Sequence, residues 1–117
     1  MVLLAICFLG SGTVSADGVI DTGTITVSGT AQAIHEATGI GLPWPAGVSG
    51  AVLYVAGTLA TDTVRWWCAA TPTNAAGFVA SDGTTITLRT AADAKSFKVI
   101  LNSGATGAKV YVMLIGK

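Results

Sequence analysis

Ser81-Asp82-Gly83-Thr84-Thr85-Ile86-Thr87-Leu88-Arg89 is the stretch whose reading decides the fold. Ser-Asp-Gly is turn chemistry, because Asp bonds nearby backbone amides and Gly accepts the conformations a tight turn needs. Beyond it apolar and polar residues alternate with a period of two, which turns Ile86 and Leu88 to one face and their threonine neighbours to the other. That is a half-buried strand entered from a turn.

The same signature recurs in both directions along the chain. Upstream, Asp21 to Val27 sets Thr22, Thr24 and Thr26 against Ile25 and Val27, and Ala31 to His35 is expected to continue it or pair with it after a turn at Ser28-Gly29. Thr63 to Cys68 puts Val64, Trp66 and Cys68 on one side and Thr63, Arg65 and Trp67 on the other, so one tryptophan of the pair is expected to fill the core. Gly50 to Ala56 is nearly all apolar and predicts a strand covered on both faces. Between these, Ala37 to Gly47 holds two prolines and three glycines and must be loop.

Downstream, Gly77 to Ala80 reads as a strand and Ala91 to Lys95 as a single helical turn. Phe97, Val99 and Leu101 alternate with Ser96, Lys98 and Ile100, and Asn102-Ser103-Gly104 turns the chain into a final strand, Lys109 to Ile115. That last strand is apolar on both faces, which places it deep in the fold or at a subunit contact. Eight or nine short strands at spacings near ten residues, without a helical period, predict an all-β antiparallel sandwich, with a jelly roll first among sandwiches on strand count.

The start of the chain is different. Val2-Leu3-Leu4-Ala5-Ile6-Cys7-Phe8-Leu9 is an unbroken apolar run followed by Gly-Ser-Gly, and Val14-Ser15-Ala16 resembles a small-residue cleavage site, as in a secretory signal. Against that reading, no Lys or Arg precedes the run. A lipoprotein signal fits less well, because Ile6 stands where a small residue should precede the cysteine. The run is also far short of the ~20 apolar residues that span a bilayer. The expectation is therefore an extended apolar arm with its loop over residues 1–17, preceding a single sandwich domain over 18–117. Should the start prove to be a signal, a secreted or cell-surface location is expected.

Composition narrows function. Hydrophobic residues make up 51% of the 117 and charged residues 10%, against about a quarter charged in an ordinary soluble domain. Much of the surface must then be small, hydroxylated or apolar, which suits a permanent interface. Lys plus Arg and Asp plus Glu stand at six each, so no net field draws the chain to phosphate backbones or anionic lipid, and neither nucleic acid nor membrane is expected as a partner. The basic side chains, spread from Arg65 to Lys117, are expected on solvated strand faces. Cys7 and Cys68 sit among apolar neighbours and are expected as buried free thiols in preference to a bridge.

No chemistry emerges. His35 is the single histidine, beside Glu36, and reads as one of a polar pair at a strand end; no metal set or other cofactor site is expected, and G-x-S-x-G is absent. Asp17, Asp21, Asp62, Asp82 and Asp93 stand singly where turns are expected, bonding backbone amides. The glycine-rich segments lack the following Lys-Ser/Thr of a phosphate loop. The reading is of no enzyme. The functional alternative from another class is a carbohydrate-binding adhesion domain, in which Trp44 and the outward-facing member of Trp66-Trp67 would offer a stacking platform to sugars.

The segment from Val64 to Gly116 resembles small structural proteins of tailed bacteriophages. The likeness rests on Val64-Arg65-Trp66-Trp67, Pro72-Thr73-Asn74-Ala75-Ala76-Gly77-Phe78, Asp82-Gly83-Thr84-Thr85-Ile86-Thr87-Leu88, Ser96-Phe97-Lys98-Val99-Ile100, Ser103-Gly104-Ala105-Thr106 and Lys109-Val110-Tyr111-Val112. It covers a little under half the chain and leaves out the apolar start. It implies a β-sandwich virion component, either a capsid decoration (cement) protein or a tail, baseplate or fibre module. The partners expected are capsid or other virion subunits and copies of the chain itself, as a homotrimer. The expected subunit-contact residues are Val2, Leu3, Leu4, Ile6, Phe8, Trp44, Trp67, Tyr111 and Met113.

Overall fold

The computed structural model describes the backbone of residues 4–6 and residues 18–116 in full. Nine strands form within these bounds: β1 (Leu4–Ile6), β2 (Gly18–Val27), β3 (Gln32–Ala33), β4 (Val48–Gly57), β5 (Val64–Trp67), β6 (Phe78–Ala80), β7 (Thr85–Leu88), β8 (Lys98–Leu101) and β9 (Ala108–Gly116). One short helix, α1 (Ala91–Ser96), starts where Thr90 Oγ1 accepts the Asp93 amide proton at 3.0 Å. The protein is all-β. A five-stranded sheet in the order β1-β7-β4-β9-β2 packs on a four-stranded sheet in the order β3-β8-β5-β6.

The pairings are nested: β2 with β9, β3 with β8, β4 with β7 and β5 with β6, all antiparallel. β4 with β9 and β5 with β8 complete the two sheets, also antiparallel. β1 is the exception, joining β7 in parallel with Leu4 opposite Thr85 and Ile6 opposite Thr87.

Alternation sends one residue in two to the core. Ile25, Leu53, Ile86, Val110, Val112 and Leu114 from the larger sheet meet Val64, Trp66 and Val99 from the smaller, with Ile34 and Phe97 closing the ends. Every one of these is at most 1% exposed. The expectation that one tryptophan of the pair fills the core holds for Trp66. Near its end β9 buries Leu114, Ile115 and Gly116 in succession, which simple alternation forbids. Two irregularities in the neighbouring strands account for it: Ile20 in β2 and Ser49 in β4 are extra residues in the ladders facing Leu114–Gly116. Gly50 follows the second, and a Cβ there would collide with the Leu88 carbonyl oxygen.

Several expectations are corrected. Gln32–Ala33 neither continues β2 nor pairs with it; it crosses to the other sheet beside β8, and Ile34–Glu36 then closes a 3-10 turn. Glu36 Oε1 accepts the Ala33 amide proton at 2.9 Å, so this carboxylate caps a turn instead of pairing with His35 at a strand end. The free edge of β2 is met by the loop: Thr24 and Thr38 exchange backbone hydrogen bonds of 3.0 and 2.9 Å. β4 is not covered on both faces, since Ala51, Leu53 and Val55 are fully buried while Tyr54 is 44% exposed. Cys68 is buried as expected but is disulfide-bonded, not a free thiol. The sequence holds one other cysteine, Cys7, which lies outside the described residues.

Two polar anchors fix the connections. Asp62, 2% exposed, accepts the amide protons of Thr106 (2.9 Å), Leu59 (3.0 Å) and Gly107 (3.3 Å) and the Thr106 hydroxyl proton (2.9 Å). The Thr106 amide, then the Leu59 amide, the Thr106 hydroxyl and the Gly107 amide, hold its carboxyl below the ordinary 3.8 against the opposing effect of burial. Arg65, expected on a solvated strand face, instead donates from Nε to Asn102 Oδ1 (2.8 Å) and from Nη1 to the Gly77 carbonyl (3.0 Å). Asn102 Nδ2 in turn donates to Thr63 Oγ1 at 2.9 Å. These bonds tie the β5–β6 loop to the turn after β8.

Candidate functional site

Since the inward-facing residues of the large sheet make the core, its outward-facing residues define a surface. β9 lies between β4 and β2, and its outward positions are Lys109, Tyr111 and Met113. Tyr111 stands opposite Tyr54 of β4 and Thr24 of β2; Met113 stands opposite Val52 and Thr22. Beyond Tyr54 and Val52, β7 adds Thr85 and Thr87. Tyr111 is 46% and Met113 40% exposed, matching Tyr54. The middle of this face is therefore a two-row block of Tyr, Met and Val bordered by threonines, with Lys109 as the charged residue at the next outward position of β9. Aromatic and Met side chains with little charge around them are the composition of an interface centre.

Of the contact residues expected from sequence, Tyr111 and Met113 thus fall side by side on one open face. Leu4 and Ile6 have their backbones in β1 at the edge of the same sheet. Val2, Leu3 and Phe8 lie outside the described residues. Trp44 lies elsewhere, in the loop before β4, partly buried against the core with Ile40 and Val48. Trp67 points out from the smaller sheet, and its aromatic neighbour is Phe78, with ring centroids 6.0 Å apart. The structure does not bring Trp44 and Trp67 into one aromatic pair.

Sequence reasoning missed Tyr54, Val52, Phe78 and Asp93 as surface features. Tyr54 and Val52 were hidden by the assumption that an all-apolar run is covered on both sides. Phe78 has inward parity, opposite Trp66 in register, but β6 is an edge strand and leaves the ring 54% exposed. The rings form a ladder leading out of the core: Phe97 to Trp66 at 5.8 Å, Trp66 to Phe78 at 5.1 Å, then Trp67.

The acidic residues mostly serve turns. Asp21 accepts the Thr22 amide proton at 2.9 Å, and Asp82 that of Gly57 at 3.2 Å. Asp93 departs from the pattern, because its Oδ2 is shielded from solvent and has no hydrogen-bond partner. Asp17 lies outside the described residues. Among the described residues no cluster of three or more His, Cys, Asp or Glu could hold a metal ion, and no helix is long and apolar enough to cross a membrane. Compared with family models, curated proteins and solved structures, the chain matches none.

Proposed function

We propose that this chain is a non-enzymatic structural subunit that acts by packing, and that its setting is a bacteriophage virion, where it decorates and stabilises a capsid and associates with its own copies as trimers. The observation that carries the reading is the open Tyr54–Tyr111 and Val52–Met113 block on the large sheet. Covering a half-exposed ring or thioether contributes about 1 kcal/mol per side chain before ordering costs, and the sum over many copies is large.

The strand order supports a jelly roll as the finer description of the sandwich. Nested pairs β2–β9, β3–β8, β4–β7 and β5–β6 are what results when one long two-stranded ribbon is rolled into two sheets of four, with β1 added at an edge. An apolar arm passing through β1 would meet a neighbouring subunit at that edge, where backbone groups are open to pairing.

The experiment is substitution on the open face. Tyr111→Lys and Met113→Lys are expected to fold normally and to lose self-association in sedimentation and binding to capsid shells. Wild-type binding by both variants would refute the reading.

A further inference from the structure

The ladder of rings ends in a second feature of the surface, independent of the large-sheet face. Trp67 and Phe78 line an open depression of about 530 Å³ together with Asp93 and Ser96 of α1. A second depression of about 320 Å³ adjoins it, sharing Ser96, and is lined by Lys95, Lys98 and Thr71. The two make a continuous groove, aromatic at one end and cationic at the other, along the side of the sandwich where α1 faces the β5–β6 loop.

We propose that this groove binds a glycan, with one pyranose ring stacked on Trp67 and Phe78 and the next sugar lying over Lys95 and Lys98. The aromatic end is held in advance. Phe78 rests on the fully buried Trp66, which is itself stacked on Phe97, so the rings lose little freedom when a ligand arrives. Trp67 and Phe78, their rings inclined by 54°, both line the depression and supply the apolar surface on which a sugar ring can stack.

The polar lining separates a glycan from other occupants. An aliphatic side chain lying along the groove would give the Ser96 hydroxyl and the ammonium groups of Lys95 and Lys98 that line it nothing to bond. An organic cation would meet Lys98, which stands opposite Trp67 in register, and Lys95, which lines the adjoining depression with it. A sugar presents an apolar face and hydroxyls together, so its ring can stack while its hydroxyls donate to Ser96 Oγ, whose own proton goes to the Asp93 carbonyl, and accept from the lysines. The size of the aromatic depression lies within the range of small-ligand sites.

The test is a titration of the isotope-labelled full chain with maltotriose and with tri-galacturonate, read at the tryptophan indole N–H signals. A saturable shift of the Trp67 signal with either sugar is expected. Trp67→Ala and Phe78→Ala should each weaken binding by about ten-fold or more. Phe78 is 54% exposed, so its removal should leave the dispersed spectrum of a folded chain intact. No shift with either sugar at millimolar concentration, or binding that survives both substitutions, would overturn the proposal. Its failure would leave the large-sheet face untouched, because no residue is shared between the two surfaces.

Discussion

Tyr54 of β4 and Tyr111 of β9 stand directly opposite each other on the outer face of the five-stranded sheet, 44% and 46% exposed. Directly opposite positions on one face of a sheet are near neighbours, and cross-strand pairs of this kind contribute roughly 0.2–1 kcal/mol. That is too little to explain two large rings at the middle of an open face as a stability device. Replacing both with threonine, which already occupies the flanking outward positions Thr24 and Thr85, is expected to change unfolding free energy by no more than about 1 kcal/mol in urea titration. A loss of several kcal/mol would mean the rings serve the fold itself.

Gly50 gives a prediction of the opposite kind. The Leu88 carbonyl oxygen occupies the place where a Cβ would sit, and the strand irregularity at Ser49 depends on that close approach. Gly50→Ala is expected to cost about 1–3 kcal/mol, measured by thermal or urea unfolding, because strand backbone on both sides must shift. Gly29→Ala, where a Cβ would meet nothing within 4 Å, is the control and should be close to neutral.

Asp62 sets the acid limit. Its carboxyl titrates below the ordinary 3.8 because the Thr106 amide, above all, favours the charged form. As pH falls, the unfolded chain takes up this proton before the folded one. The stabilisation is therefore complete above the ordinary carboxylate range and is lost as pH falls from about 3.8 through the folded value. Asp62→Asn should unfold at lower temperature than the wild type at neutral pH, with the difference shrinking as pH falls through that window. A constant difference down to strongly acid pH would show that the charge is not what holds Thr106.

Much of the fold was legible because a period of two is hard to mistake when threonine alternates with Ile, Val or Leu, as in Thr24-Ile25-Thr26-Val27 and Thr85-Ile86-Thr87-Leu88. That Trp66 and Trp67 face opposite sides, one of them into the core, followed from the same rule. It failed where a strand is too short to carry a pattern: Gln32–Ala33 has two residues, and its choice of sheet is decided by β8, sixty-six positions away at Lys98–Val99. It failed again in β4, where apolar residues at every position hide which face is open. The Trp67–Phe78 surface was half legible, since the outward tryptophan could be read but its partner depends on β6 being an edge. The bonds of Arg65 to Asn102 and Gly77, and of Asp62 to Thr106, join residues that no local pattern connects.

The most direct measurement is oxidative footprinting of Tyr54, Tyr111 and Met113 in the free chain and again after it is mixed with capsid shells or allowed to self-assemble. All three side chains are open in the single chain and should be modified readily there. The account predicts strong protection of all three together in the assembled state, with Phe78, on the other sheet, still reactive. Equal modification of Tyr54, Tyr111 and Met113 before and after assembly would contradict it.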